Sequence, residues 1–183
     1  MKKIKKILNK VINKAIGLIM YFDSRLYMNI YLGYLKKIGI GLEGVPKFIS
    51  NDCYFDGKDY SLITIGDNVT VSREVMFLTH DYSIATVEKN LSIKERKILD
   101  EMKKHGNILI LKGIKVGNNS FIGARASLLP GTEIGQNVII GAGSVVRGKV
   151  PDNSIVVGNP AKVIGFVSEW IDEKIRREKL TID

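Results

Sequence analysis

Aliphatic residues recur at every sixth position through the second half of the chain: Ile110, Val116, Ile122, Leu128, Ile134, Ile140 and Val146. An α-helix repeats near 3.6 residues and a strand near 2, so neither produces this spacing. Four of the seven open a unit whose second residue is glycine, at Gly117, Gly123, Gly135 and Gly141. The fifth residue of each unit is small or β-branched: Ser120, Ala126, Thr132, Val138, Ser144 and Val150. Six-residue units of this kind mark a β-helix, with glycine expected where the coil turns its corners. An earlier register at Ile65, Val71 and Phe77, with Val69 and Val75 at the fifth positions, belongs to the same pattern. Extended backward it reaches Asp59 and Cys53 more weakly.

Phe77 and Ile110 are not separated by a multiple of six, so the repeat is interrupted. Residues from about Tyr82 to Asn107 must leave the solenoid and return, and within them Ser92 to His105 reads as a charged helix closed by Gly106. A long excursion from a regular scaffold serves function more often than not, with a solvated insertion as the alternative. Before the repeat, residues 1–22 place Ile4, Ile7, Leu8, Val11, Ile12, Ala15, Ile16, Ile19 and Phe22 in an apolar stripe, which predicts an amphipathic helix. Asp23 and Ser24 are candidate caps for a second helix, Arg25 to about Lys37, stopped by Gly39 and Gly41. Beyond Val150 the repeat frays into turn formers, and residues 168–179 read as a short helix with Trp170, Ile171 and Ile175 on its apolar side. The expected organisation is therefore an all-β solenoid over 43–167, with an inserted loop at about 82–107. A basic helical segment, 1–42, precedes it, and a helix and tail, 168–183, follow.

Charge sharpens the picture of the N-terminus. The net charge is +9, yet residues 1–40 alone hold nine basic residues against Asp23, a balance of +8, so the rest of the chain is close to neutral. No basic stripe with interleaved aromatics runs along the repeats, which argues against a nucleic-acid partner. Lys10 and Lys14 interrupt the apolar run and no small-residue cleavage site follows, so residues 1–22 do not read as a secretory leader. The run is also too short to span a bilayer. Two readings stay open: the helix caps the solenoid, or it lies on an anionic membrane surface. The single cysteine, Cys53, rules out an intrachain disulfide framework and fits a reducing compartment; as a small buried residue it needs no further role.

Chemistry is sparse. Of the two histidines, His105 sits in the charged insertion beside Gly106, where a solvated role suffices. His80 lies in Thr79-His80-Asp81-Tyr82, where the repeat breaks and the loop departs, a position suited to proton transfer beside a loop. Satisfying a solenoid corner is its alternative. Two histidines cannot build a three-histidine zinc site in one subunit, and no metal-ligand spacing is present, so no metal is expected.

The run Ile114 to Val146, followed by Gly158-Asn-Pro-Ala-Lys162-Val-Ile, resembles the hexapeptide-repeat acetyltransferases, most of all the sugar and polysaccharide O-acetyltransferases of the galactoside and maltose branches. The likeness runs from about Ile63 to Ile164, and His80 falls where that family keeps its catalytic histidine. It implies a left-handed parallel β-helix and a homotrimer with active sites between subunits. It also implies acetyl-CoA as co-substrate and His80 as general base toward a sugar or glycan hydroxyl. By family position the Ala124 N–H is the oxyanion donor. Phe121, Ala124, Ala142 and Gly143 would lie beside the pantetheine arm, with Arg147 and Lys162 toward the adenine and phosphates unless these two are merely solvated charges. Phe121 stands where many relatives carry tryptophan. Asp52, Asp56, Asp81 and Tyr82 are candidate acceptor-binding residues. Asp56 and Asp81 are also candidates for orienting His80, although Asp81, adjacent in a strand, would point to the opposite face. The expected function is O-acetylation in bacterial surface polysaccharide or lipopolysaccharide assembly. The expected location is the cytoplasm, with the inner face of the membrane as a peripheral site through residues 1–22. An amino-sugar N-acetyltransferase and a non-catalytic scaffold remain open.

Overall fold

A computed structural model describes residues 2–56, 59–104 and 110–179. The six-residue units wind into a left-handed parallel β-helix of triangular section. Its first face stacks Gly41–Glu43, Ile63–Gly66, Ile114–Val116, Glu133–Ile134 and Lys149–Val150. The second stacks Phe48–Ile49, Thr70–Val71, Phe121–Ile122, Ile139–Ile140 and Ser154–Gly158, closed by the antiparallel strand Ala161–Phe166. The third stacks Tyr54–Phe55, Met76–Phe77, Ser127–Leu128 and Val145–Val146.

The hexad residues fill the interior. Ile65, Val71, Phe77, Val116, Ile122, Leu128, Ile134, Ile140 and Val146 are all buried, as are the fifth-position residues Val69, Val75, Ser120, Ala126, Thr132, Val138 and Ser144. Burial of one large aliphatic residue per unit is worth roughly 1.5–3 kcal/mol each, which explains why the period is kept so strictly.

The glycines serve differently from the expectation. Gly117 and Gly123 do not have positive φ; instead, a Cβ on Gly117 would lie 2.4 Å from the Gly135 carbonyl of the next coil, and one on Gly123 would lie 2.6 Å from the Ala142 nitrogen. Close coil-to-coil approach, not corner dihedrals, requires them. The left-handed non-glycine residues at the edge between the first and second faces are Asn68, Asn119, Asn137 and Asn153. Asparagine tolerates that region better than other non-glycine residues, and here its side chains pair from coil to coil. Asn68 Nδ2 donates to Asn119 Oδ1 at 2.9 Å, and Asn137 Nδ2 to Asn153 Oδ1 at 3.1 Å.

Helices α1 (Lys2–Ile19) and α2 (Ser24–Ile38) cover the first coil. The Asp23 carboxylate accepts from the Arg25 and Leu26 N–H groups to start α2, and Gly39 ends it at φ 113°. Its inner side buries Tyr27, Met28, Tyr31 and Leu35, with the Tyr27 hydroxyl donating to the Ile49 carbonyl at 2.7 Å. Among the described residues no helix is long and apolar enough to cross a membrane.

The insertion leaves from the edge between the third and first faces. Paired corners across it are 51 residues apart (Asn68 and Asn119), where an uninterrupted coil separates partners by 18 (Ser120 and Val138). It carries α3 (Ser83–Val87) and α4 (Ile93–Lys104), the latter opened by a reciprocal Ser92–Glu95 capping box. The pattern does not predict the short α3; His105 and Gly106, the expected end of the charged helix that starts at Ser92, lie outside the described residues. The terminal helix α5 (Val167–Lys179) leaves Trp170, Ile171 and Ile175 exposed.

Cys53 donates to the Ser72 carbonyl, Sγ···O 3.4 Å, and burial pushes its thiol up to about 12. At neutral pH the thiolate is therefore scarce in the folded protein and returns on unfolding. Iodoacetamide should leave Cys53 unmodified until denaturant is added, read by intact mass; modification of the native protein at the free-thiol rate would contradict this burial.

Candidate active site

His80 comes three residues after the buried Phe77 of strand Met76–Phe77, and its backbone is held from both sides. Residues His80–Asp81 pair antiparallel with Ile110–Leu111, forming the neck of the insertion. Before them Thr79 is buried, accepts the Lys112 N–H at 3.0 Å, and donates its hydroxyl to the Asp56 carbonyl at 3.4 Å. The histidine is thus anchored at a rigid edge while its side chain stays 23% exposed.

Asp56 stands one coil earlier on the same edge, its N–H donating to the Phe77 carbonyl at 3.0 Å. This carboxylate is buried, and its Oδ2 meets His80 Nδ1. The Tyr54 hydroxyl donates to Asp56 Oδ1 at 3.4 Å. Burial and then the neighbouring Asp56 charge push the Tyr54 phenol up, so it remains a neutral donor. The Tyr82 ring meets the imidazole edge-on with centroids 4.8 Å apart. With Nδ1 held by a carboxylate, Nε2 is the ring nitrogen left to exchange a proton.

Asp81 does something else. Its Oδ1 accepts the Ser83 N–H at 2.8 Å and starts α3. Hydrogen bonds from Ser83, with smaller contributions from Arg147 and His80, hold its carboxyl below the usual range. Of the two carboxylates considered for orienting His80, the one from the previous coil faces Nδ1. Tyr54 and Thr79 were not singled out from sequence. Thr79 lies next to the histidine, but the role of Tyr54 depends on a neighbour brought close only by coiling.

The remaining candidates divide between two edges of the prism. Arg147 follows the third-face strand Val145–Val146 and lies on the edge of His80 and Asp56. Ala124, Ala142, Gly143 and Asp52 all fall between second- and third-face strands, on a different edge. There the Ala124 carbonyl accepts the Gly143 N–H at 2.8 Å, Gly143 has φ 70°, and a Cβ at Gly143 would meet open space. Phe121 is exposed on the second face, and Lys162 is exposed on the closing strand paired with it. Together these make an open strip with an aromatic, small residues and a terminal cation, a composition that fits a long, partly apolar ligand ending in phosphates.

Asp52 is part of a charged column rather than of the His80 cluster. It accepts from Arg73 Nε at 3.1 Å and from the Glu74 N–H at 3.0 Å, while Arg125 Nε donates to Glu74 Oε2 at 2.6 Å. Burial works against its charge, but the Ser50 hydroxyl, the Glu74 N–H and Arg73 together hold its carboxyl below the usual range. The fold therefore brings His80 together with Asp56, Tyr54 and Tyr82, sets Arg147 further along the same edge, and keeps Ala124, Ala142, Gly143 and Asp52 on another.

Residues 113–148 match the family described as bacterial transferase hexapeptide (six repeats). Galactoside O-acetyltransferase of Escherichia coli strain K12 is 31% identical over 140 residues, covering 76% of this chain and 59% of that enzyme, so the chain spans little more than half its length. Protein CapG of Staphylococcus aureus is 39% identical over 136 residues, covering 74% of this chain and 71% of the relative. Among solved structures, a maltose O-acetyltransferase from Clostridium difficile 630 superposes with a TM-score of 0.53 at 22% identity, covering 87% of this chain and 84% of that one.

Proposed function

The chain belongs to the bacterial hexapeptide-repeat transferases, and on that premise we propose that it is an acetyl-CoA-dependent O-acetyltransferase acting on a sugar hydroxyl. The observation that carries this reading is the buried Asp56 carboxylate against Nδ1 of His80, at the neck of the insertion. Nε2 of His80 takes the proton of the acceptor hydroxyl as its oxygen attacks the thioester carbonyl, and Asp56 stabilises the imidazolium that forms. The new ester C–O bond replaces the C–S bond, and the proton held by His80 passes to the departing thiolate. A donor at the carbonyl oxygen is needed, and Ala124 N–H fills that role by family position.

Because Ala124, Ala142 and Gly143 lie on a different edge from His80, the proposal includes a second copy. The edge of one protomer bearing His80, Asp56 and Arg147 faces the strip of its neighbour that bears Phe121, Ala124, Gly143 and Lys162. Threefold repetition of that contact makes a homotrimer with three sites. Tyr82 and the insertion border the space over His80 and are the acceptor-facing elements. A surface glycan, polysaccharide or lipopolysaccharide, is the acceptor class we favour, since a long insertion beside the site provides more contact than a free monosaccharide requires.

Thiol release from acetyl-CoA, followed with a panel of hydroxyl sugars, glycan fragments and amino sugars, tests the reading. Release with hydroxyl acceptors, and an alkali-labile acetyl ester as product, is expected. Release with amino sugars alone would replace it by N-acetylation. No release, with no rise in melting temperature on adding acetyl-CoA, would leave only a scaffold.

A further inference from the structure

Among the described side chains of helix α1, one face packs on the fold and the other does not. On its inner side Ile16 is buried, Asn13 Nδ2 donates to the Asn51 carbonyl at 2.8 Å, and a Cβ on Gly17 would lie 2.2 Å from Asn51 Nδ2. That side closes the first coil. The outer side carries Leu8, Val11, Ala15 and Leu18 at alternating spacings of three and four, all exposed, and the turn that follows the helix adds Phe22, 90% exposed. Tyr21, and Leu26 and Ile30 on α2, extend the exposed apolar surface.

Capping does not call for this. A cap that ends a solenoid in water carries a polar outer face, whereas this outer face is a continuous apolar ridge. The same segment holds nearly all the net positive charge, nine basic residues against Asp23 within residues 1–40, including the exposed Lys14, Lys36 and Lys37. That charge chooses between occupants. A second copy laid ridge to ridge would set +8 against +8, whereas an anionic lipid surface neutralises it; each basic residue near such a surface contributes about 1 kcal/mol.

We propose that the outer ridge of α1 docks this protein onto an anionic membrane. The helix lies in the interfacial plane with Leu8, Val11, Leu18 and Phe22 among the acyl chains. Its inner face remains on the first coil, so the solenoid meets the membrane by its N-terminal end. The proposal stands apart from the acyl-transfer reading, and its test reads a different quantity.

Full-length protein is co-sedimented with phosphatidylcholine vesicles with and without phosphatidylglycerol, alongside a Leu18→Gln/Phe22→Gln pair. Both substituted residues are exposed and outside the core, so the pair should keep the wild-type melting temperature and thiol release. Wild-type protein should pellet with the phosphatidylglycerol vesicles, lose binding as salt is raised, and bind neutral vesicles weakly. The pair should bind at least about tenfold more weakly, as expected from removing two large apolar groups from the acyl region. Equal pelleting with neutral and anionic vesicles, or undiminished binding by the pair, would overturn the proposal. So would a wild-type protein that ignores vesicles but changes its oligomeric state in the pair, which would assign the ridge to a second copy.

Discussion

His80→Ala lowers turnover by about two to four orders of magnitude, the range that positioned general bases contribute, while the protein stays folded. The imidazole lies at an edge, outside the apolar stack formed by Phe77, Leu128 and their neighbours, so its loss leaves the coil interior intact. The melting temperature, and the affinity for acetyl-CoA measured by calorimetry, should stay near the wild-type values. The effect then falls on kcat, as expected when a group acts on the proton in flight rather than on the bound ground state. Turnover near wild type would remove His80 from the chemistry and with it the proposed mechanism. A folded variant that loses acetyl-CoA binding along with turnover would point to a binding role.

Asp56→Asn carries the second largest effect. The carboxamide is nearly isosteric, so packing under the insertion neck and the donor from Tyr54 survive. What disappears is the negative charge against Nδ1. A hydrogen bond to a charged partner is worth about 1.5–3 kcal/mol, so kcat should fall roughly ten- to a hundredfold as the imidazolium loses its stabilisation. The KM for acetyl-CoA should be unchanged, because Asp56 is buried behind His80 and offers no open surface to a cofactor. The melting temperature should fall modestly, since the hydrogen bonds that Asp56 accepts from His80 and Tyr54 lose their charge. Wild-type kcat in Asp56→Asn would mean the carboxylate only pins the corner. The exchange Asp81→Asn offers the contrast: it touches the start of α3, not Nδ1, and should leave the chemical step largely intact.

Much of the fold was legible in the chain because each hexad satisfies its own burial requirement. An aliphatic residue every sixth position faces inward whatever its neighbours are, so Val116 through Val146 announced the coil. The ends of α2 were equally local, with Asp23 and Gly39 sufficing to start and stop it. The glycines were misread for a reason of the same kind. Gly117 looks like a corner residue in one dimension, yet the constraint on it comes from the Gly135 carbonyl of the coil above. On the edge that Gly117 adjoins, the left-handed position falls instead to Asn119 and its equivalents.

The site was legible in part. The break in the repeat singled out His80, but the identity of its partner was not recoverable from spacing. Asp56 and Asp81 are both candidates along the chain, one 24 positions away and the other adjacent; strand alternation counts against Asp81, but nothing in the spacing brings Asp56 near. Similarly, the apolar stripe of residues 1–22 predicted a helix that either caps or lies on a membrane. The structure shows a capping face and, opposite it, an unused apolar ridge.

By itself, then, the sequence determined the period, the inward residues, the helix ends and the point where the solenoid opens. All of these follow from local burial and local hydrogen bonding. Only the tertiary structure decided which carboxylate faces His80, which candidates share its edge, and which side of α1 remains free. Those relations are contacts between coils, and coil stacking brings together residues whose separation, 18 in one place and 51 in another, is set by an insertion that the repeat itself does not encode.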